Sequence, residues 1–399
     1  MSANFYLSSH ANNHLHPRAA LLAARVDDLR HATDQELAWV EIWSAGAMQK
    51  ICKRLSLRQQ VLATAVTFFR RFYLRNSYCE TAVCLVAAAC CYVAAKAEET
   101  PVHVKSAVGE ARAVFTDMGH PSFPLDNHRL AEMEFYLLEE LDFHLVVYHP
   151  YRALVQLTGR EGGRKPDAAV EEGRRMLEMD DTALQMAWFI INDTYRSSLL
   201  LIHPPHLIAL AAIYLAFALH PPASCAASIL PPPPSPPATA SPSKASIAGR
   251  TRRASQDAAA GGEQNATPAG GAAGPVPPAA VGALKPSAKR KESEDPSNPI
   301  AFLASLQVDT SLVLEIVQEI ISLYELWSSL ESAPSASPAA GALRGAGMVS
   351  GQPVQGKQGP DERVLAVVRR MQESRGREIR EERARVVQQQ QAKQGRGTG

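Results

Sequence analysis

The sequence predicts an all-α protein built of two similar helical bundles, and three observations carry that prediction. Apolar residues recur at spacings of three and four along most of the chain, while no alternating pattern of a strand persists. Two segments, Cys84–Ala95 and Leu207–Leu219, are rich in alanine and apolar on every side. A helix without a polar face has to be surrounded by other helices. Small side chains let neighbours approach closely from all directions, as the central member of a five-helix bundle requires, so two such segments imply two bundles in tandem.

The elements follow in order. Thr33 and Glu36 form a capping box that opens a helix carrying Trp39, Ile42, Trp43, Ala47, Ile51 and Leu55 on one stripe. Next come RQQVLATAVTFFRRFYLRNS and CETAVCLVAAACCYVAAKAEE, the second closed by Lys96, Glu98 and Glu99. Pro101 starts a weaker helix through Val104, Val108 and Ala113, and Asp126 starts a strong one with Leu130, Met133, Leu137, Leu138 and Leu141 facing inward. These five helices place a first bundle at residues 31–145, after an N-terminal segment at 1–30.

YHPYRAL, from Tyr148, begins the second set, which continues through AWFIINDTYRSSLLL and LIALAAIYLAFAL. From Pro221 to Pro296 the text turns to prolines, glycines, alanines and serines, with too little large apolar surface to offset its ordering entropy. Residues 221–297 are therefore expected to be a disordered insertion, which a bundle tolerates because loop entropy grows slowly with length. Helical pattern returns after Val308 and Asp309 with Leu312, Ile316, Ile320, Leu323 and Trp327, so the second bundle spans 146–220 plus 298–330. Residues 331–399 read as a low-complexity linker and a charged tail, either a lone exposed helix or disordered.

Composition excludes several classes of function. A formal net charge of +1 gives no global pull toward nucleic acid or an anionic membrane. The N-terminus has no apolar core of signal-peptide length, and the longest apolar run is short of the roughly 20 residues that span a bilayer, so a soluble, non-secreted protein is expected. Six cysteines without disulfide spacing suit a reducing compartment. Cys79 and Cys84 lack any CxxC or HxxxH companion, which argues against zinc. Twelve histidines form no local pattern with a nucleophile and a carboxylate, and no phosphate loop or GxSxG occurs, so neither catalysis nor a cofactor is expected.

What remains is docking. Lys96, Glu98 and Glu99 stand at the mouth of a buried helix, where charge is presented on a rigid base, and glutamates at a helix C-terminus face an unfavourable dipole. Arg58, Arg70, Arg71 and Arg75 form a basic face better read as intramolecular pairs than as a nucleic-acid surface. Tyr195 and Arg196 are expected to fix the junction of the two bundles.

RQQVLATAVTFFRRFY, AAKAEE, MEFYLLEELDFHLVVYHPYR, INDTYR and LYELW, in that order, resemble the cyclin C family, the cyclins of the Mediator kinase module, and ANFYLSSH is similar to the N-terminus of that family. The resemblance covers residues 3–160, 181–219 and 298–328 and neither the Pro-rich insertion nor the tail. It implies two tandem cyclin folds, no catalytic activity, a cyclin-dependent kinase and other Mediator kinase-module subunits as partners, and a nuclear role in RNA polymerase II transcription. It also implies that Lys96 and Glu134 clamp the kinase backbone with Glu98 and Glu99 nearby, and that Phe5, Tyr6, Ser9 and His10 make an N-terminal partner contact. Tyr6 stands where the family usually has tryptophan. The region ELAWVEIWSAGAMQ lacks the MRAIL-type patch of cell-cycle cyclins. A cyclin of another transcriptional kinase and a cyclin-fold general transcription factor are the alternatives. KPSAKRK, ending at Lys291, is a candidate nuclear-import signal, and Ser241, in SPSK, a candidate proline-directed phosphosite.

Overall fold

Fourteen helices are seen in a computed structural model that describes residues 4–120, 126–159, 176–221, 299–332 and 359–396, and no strand occurs among them. All belong to one compact unit formed by Met1–Ala227 and Asp295–Gly399. The Pro-rich insertion, Ser241 and the basic cluster at Lys291 lie outside the described residues.

Two short N-terminal helices, α1 (Ser9–Asn13) and α2 (Arg18–Ala24), precede the first bundle of α3 (Asp34–Arg54), α4 (Gln59–Phe72), α5 (Val83–Ala97), α6 (Val104–Asp117) and α7 (Asn127–Glu140). The capping box at Thr33 and Glu36 is present, and Asp126 accepts from the Arg129 amide. Each satisfies amides that a helix start leaves without partners. Helix α5 is packed against α3, α4, α6 and α7, with Ala87, Ala89, Cys90, Ala94 and Ala95 at 0% exposure. Side chains of one to two heavy atoms make that central position possible.

The second set comprises α8 (Pro150–Thr158), α9 (Asp181–Thr194), α10 (Leu199–Ile202), α11 (Pro205–Leu219), α12 (Pro299–Ser305) and α13 (Thr310–Ser332). Helix α11 is its central member, packed against α8, α9, α10 and α13.

Helix α4 is enclosed as thoroughly as α5. Every residue from Val61 to Phe72 is buried, including Thr64, Thr67, Arg70 and Arg71, because α10 covers its polar side. Arg70 pairs with Glu41 and donates to the Arg196 carbonyl at 2.7 Å. Arg75 pairs with Asp142. Arg196 stacks 3.9 Å over the Trp327 ring and donates to Gln49, so it binds the two bundles as expected.

The tail requires a correction. Helix α14 (Pro360–Arg396) is not a lone helix: Val364 and Met371 are fully buried, with Leu365, Val367 and Val368 beside them, and α14 packs on α3. Ion pairs Lys50–Asp361, Arg370–Glu36 and Arg375–Glu80 rim this contact. From Glu381 to Gln390 every residue is exposed, so the expectation of a free charged helix holds only for the distal part.

Cys52, Cys79, Cys84, Cys90 and Cys91 are buried free thiols, and burial pushes the Cys84 thiol up to about 12, which makes it inert. No described helix is long and apolar enough to cross a membrane.

Candidate functional site

Helices α5 and α7 close in the same way at their C-termini. In α5 the Thr100 amide bonds to the Ala95 carbonyl and the Glu99 amide to that of Lys96, a Schellman closure with Glu99 at φ 55°. In α7 the Phe143 amide bonds to Leu138 and that of Asp142 to Glu139, with Asp142 at φ 51° and Phe143 at φ 57°. Glycine usually occupies such left-handed positions. A bulky residue there is held by its surroundings at a cost of about 1–3 kcal/mol.

Lys96, in the last turn of α5, and Glu134, midway along α7, are 38 residues apart in sequence and meet with Nζ donating to Oε1 at 2.6 Å. Lys96 also lies 4.3 Å over the Tyr92 ring. Burial acts against the ammonium, but Glu134 and Tyr92 outweigh it and hold Lys96 above its ordinary pKa. The ammonium remains accessible, at 42% side-chain exposure, and an ammonium has three donors.

Glu98 faces the other way. Its carboxylate accepts from Thr64 Oγ1 at 2.5 Å and Gln60 Nε2 at 2.7 Å. Thr64 in turn lies 2.9 Å from His149 Nε2, whose Nδ1 is 2.5 Å from the Tyr195 hydroxyl. This chain runs from the end of α5 through α4 to α9, so Glu98 fixes the junction between bundles. Burial raises its pKa, but hydrogen bonds from His149 and Thr64 prevail and hold the carboxyl below its ordinary value. Glu99 is exposed.

Sequence reasoning missed the exposed apolar side chains on α7 and in the segment that follows it. Phe135, Tyr136, Phe143 and Val146 are 73%, 42%, 70% and 61% exposed. Phe135 and Tyr136 fall off the inward stripe of α7, and that was the available signal; Tyr136 still packs edge-on against Phe72 and donates to Asn76 at 3.0 Å, so Phe135 is the one with its ring presented.

The N-terminal residues divide. His10 is fully buried, accepting the Tyr148 amide at 3.0 Å, and Phe5 stacks edge-on against His10 and Tyr148. Ser9 begins α1, whose cap is Ser8. Tyr6 and Leu7 are presented, at 65% and 80% exposure. His10 is thus an anchor of the segment and not part of its outer face.

The first bundle is a cyclin box: residues 12–146 match the model of the cyclin N-terminal domain. The RNA polymerase II holoenzyme cyclin-like subunit of Mycosarcoma maydis is 35% identical over 391 residues, covering 85% of this chain and 93% of that protein. Cyclin-C1-1 of Oryza sativa subsp. japonica is 38% identical over 219 residues, 55% of this chain and 78% of its own, and Cyclin-C of Drosophila melanogaster 35% over 221 residues, 54% and 77%. A chain in the solved yeast TFIIK complex is 24% identical with a TM-score of 0.40, covering 53% of this chain and 85% of that one. The chain belongs to the cyclin C family of RNA polymerase II holoenzyme cyclin-like subunits.

Proposed function

We propose that this protein is the non-catalytic regulatory subunit of a cyclin-dependent serine/threonine kinase in the Mediator kinase module, acting in the nucleus on RNA polymerase II transcription. Two cyclin boxes carry the role, at residues 31–145 and at 146–220 plus 298–330. The observation that carries the reading is the near full-length likeness to a holoenzyme cyclin-like subunit, over 85% of this chain and 93% of that protein.

The geometry of the site suits that role. One Lys96 N–H is committed to Glu134, which fixes the ammonium while leaving two donors for orphan carbonyls at a helix end of the kinase. Glu134 accepts amides of the same partner, so the clamp grips backbone. Phe135 and Tyr136 add apolar area, about 2 kcal/mol for an aromatic side chain fully buried on docking. Glu99, exposed three residues beyond Lys96, offers the partner a further acceptor. Glu98, satisfied internally, positions α5 against the second box. Binding energy at this face biases the kinase's regulatory helix inward, where its own Lys–Glu pair and metal site form. Tyr6 and Leu7 of the N-terminal segment offer a second contact, anchored by His10. No nucleic-acid or membrane contact is part of this function, and no cofactor is needed.

Affinity purification of the tagged protein followed by mass spectrometry, with a kinase assay on the same eluate, tests the proposal. A cyclin-dependent kinase with Mediator subunits supports it; an elongation kinase, or recovery without any kinase, overturns it.

A further inference from the structure

Helix α13 carries Glu315 and Glu319 one turn apart on the same face, and the end of α10 brings His203 to them. The two carboxylates and the imidazole each offer a ligand atom within 4.8 Å of the others. His203 is only 5% exposed, yet its Nε2 has no hydrogen-bond partner among the described residues. That nitrogen points into the acidic pair, 3.8 Å from a Glu319 oxygen, which is too far for a hydrogen bond. Buried polar atoms are nearly always satisfied, so an orphan aimed at two carboxylates calls for an occupant.

One cation already marks the point where the carboxylates converge. Arg18, the first residue of α2, donates through Nη2 to Glu319 and, at 3.2 Å, to Glu315, and it leaves His203 Nε2 unmet. The Arg18 side chain is half-exposed and free to swing outward. The N-terminal segment does not hang on it, because the His16 amide donates to the Leu201 carbonyl at 2.7 Å. Arg18 and Glu319 also line a cavity of about 210 Å³, which gives an ion a way in from solvent. Burial acts against the Glu319 carboxylate, but His203 and Arg18 outweigh it and hold its pKa below the ordinary value, so the group is ionised as a ligand must be. One imidazole nitrogen with two carboxylate oxygens is a donor set for zinc and its neighbours, whereas magnesium and calcium take oxygen alone.

We propose that His203 Nε2, Glu315 and Glu319 bind a divalent transition-metal ion of the zinc type, which takes the place of the Arg18 guanidinium. Three protein ligands leave a fourth position for water. The ion and Arg18 exclude each other: with metal bound, α10 and α13 of the second box are joined directly, and α2 is released from α13. The inference does not depend on the kinase partner.

Cobalt(II) titration of the untagged full-length protein, stripped with a chelator and followed by visible absorption, tests it, with zinc added at the end point. One saturable equivalent with the bands of four-coordinate cobalt is expected, displaced by zinc and not by magnesium at the same concentration. Arg18→Ala removes the competitor and should tighten binding about tenfold, whereas Glu315→Gln should weaken it about tenfold or more and His203→Gln should abolish it. Glu315 is half-exposed, so its variant folds and decides the matter even if His203→Gln does not. The proposal is overturned by the absence of saturable binding, by displacement with magnesium, by binding that Glu315→Gln leaves unchanged, or by an Arg18→Ala variant that binds no more tightly than wild type.

Discussion

The two alanine-rich central helices are alike along their length and unlike at their ends. Helix α5 and helix α11 are each surrounded by four other helices, and Ala89 in one and Ala211 in the other are both completely buried. At its C-terminus α5 carries the Lys96–Glu134 pair at 2.6 Å, a satisfied glutamate and a strained one. Helix α11 ends in His220, 3.2 Å from the Asp180 carboxylate that caps α9. Composition places both helices at the centre of a bundle, and only the last turn distinguishes the one proposed to meet a partner.

The largest expected effect separates these two ends. Replacing Lys96 and Glu134 together by alanine should weaken kinase co-precipitation by about 2–4 kcal/mol, the size of an interface hot spot, with a melting temperature close to wild type. Replacing His220 and Asp180 together should leave co-precipitation unchanged. Equal losses from both pairs would mean that the two ends do not differ in function.

Along their shared length the helices should respond alike. Ala89→Leu and Ala211→Leu each force extra volume into a filled centre, so each should destabilise by about 1–3 kcal/mol in denaturant unfolding. A neutral outcome at either position would show that helix to be peripheral.

A third contrast lies in what flanks the end of α4: the N-terminal segment with its buried histidines. His10 and His14 are held down to about 3, by burial first and by Arg71 second. The unfolded chain takes up protons near pH 6.5 while these folded histidines stay neutral, so their contribution is complete above that pH and is lost as pH falls toward 3. Stability should therefore fall by about 1 kcal/mol between pH 7 and pH 6. Replacing His14 with glutamine should flatten that slope by about half, as read from urea midpoints across the same range.

Much of this was legible beforehand. Thr33, Asp126 and Asp309 announced helix starts, and alanine content named both central helices, because capping and packing size are local properties. The buried polar face of α4 was legible only in part. Arg70 and Arg71 read as intramolecular pairs, but that the second bundle and the N-terminal segment would enclose them together with Thr64 and Thr67 is a tertiary fact without local trace. The tail misled for the opposite reason: Val364, Leu365, Val368 and Met371 form a short apolar stripe, diluted by the charged turns that follow. Lys96 and Glu134 belong to different helices, and only the family resemblance joined them in advance.

The smallest effect sharpens the comparison most. Glu99 sits at the glycine position of the α5 closure, at φ 55°, where a side chain is strained. Glycine there relieves that strain but adds freedom to the unfolded chain, so the net gain for Glu99→Gly should be modest, about 0.5–1 kcal/mol. If the carboxylate is retained for the partner, the same variant should bind kinase more weakly while melting at a higher temperature. Opposite signs in two measurements on one protein are not produced by a general loss of fold. A variant that melts higher and binds kinase as well as wild type would place Glu99 outside the docking site, leaving Lys96 and Glu134 to define it.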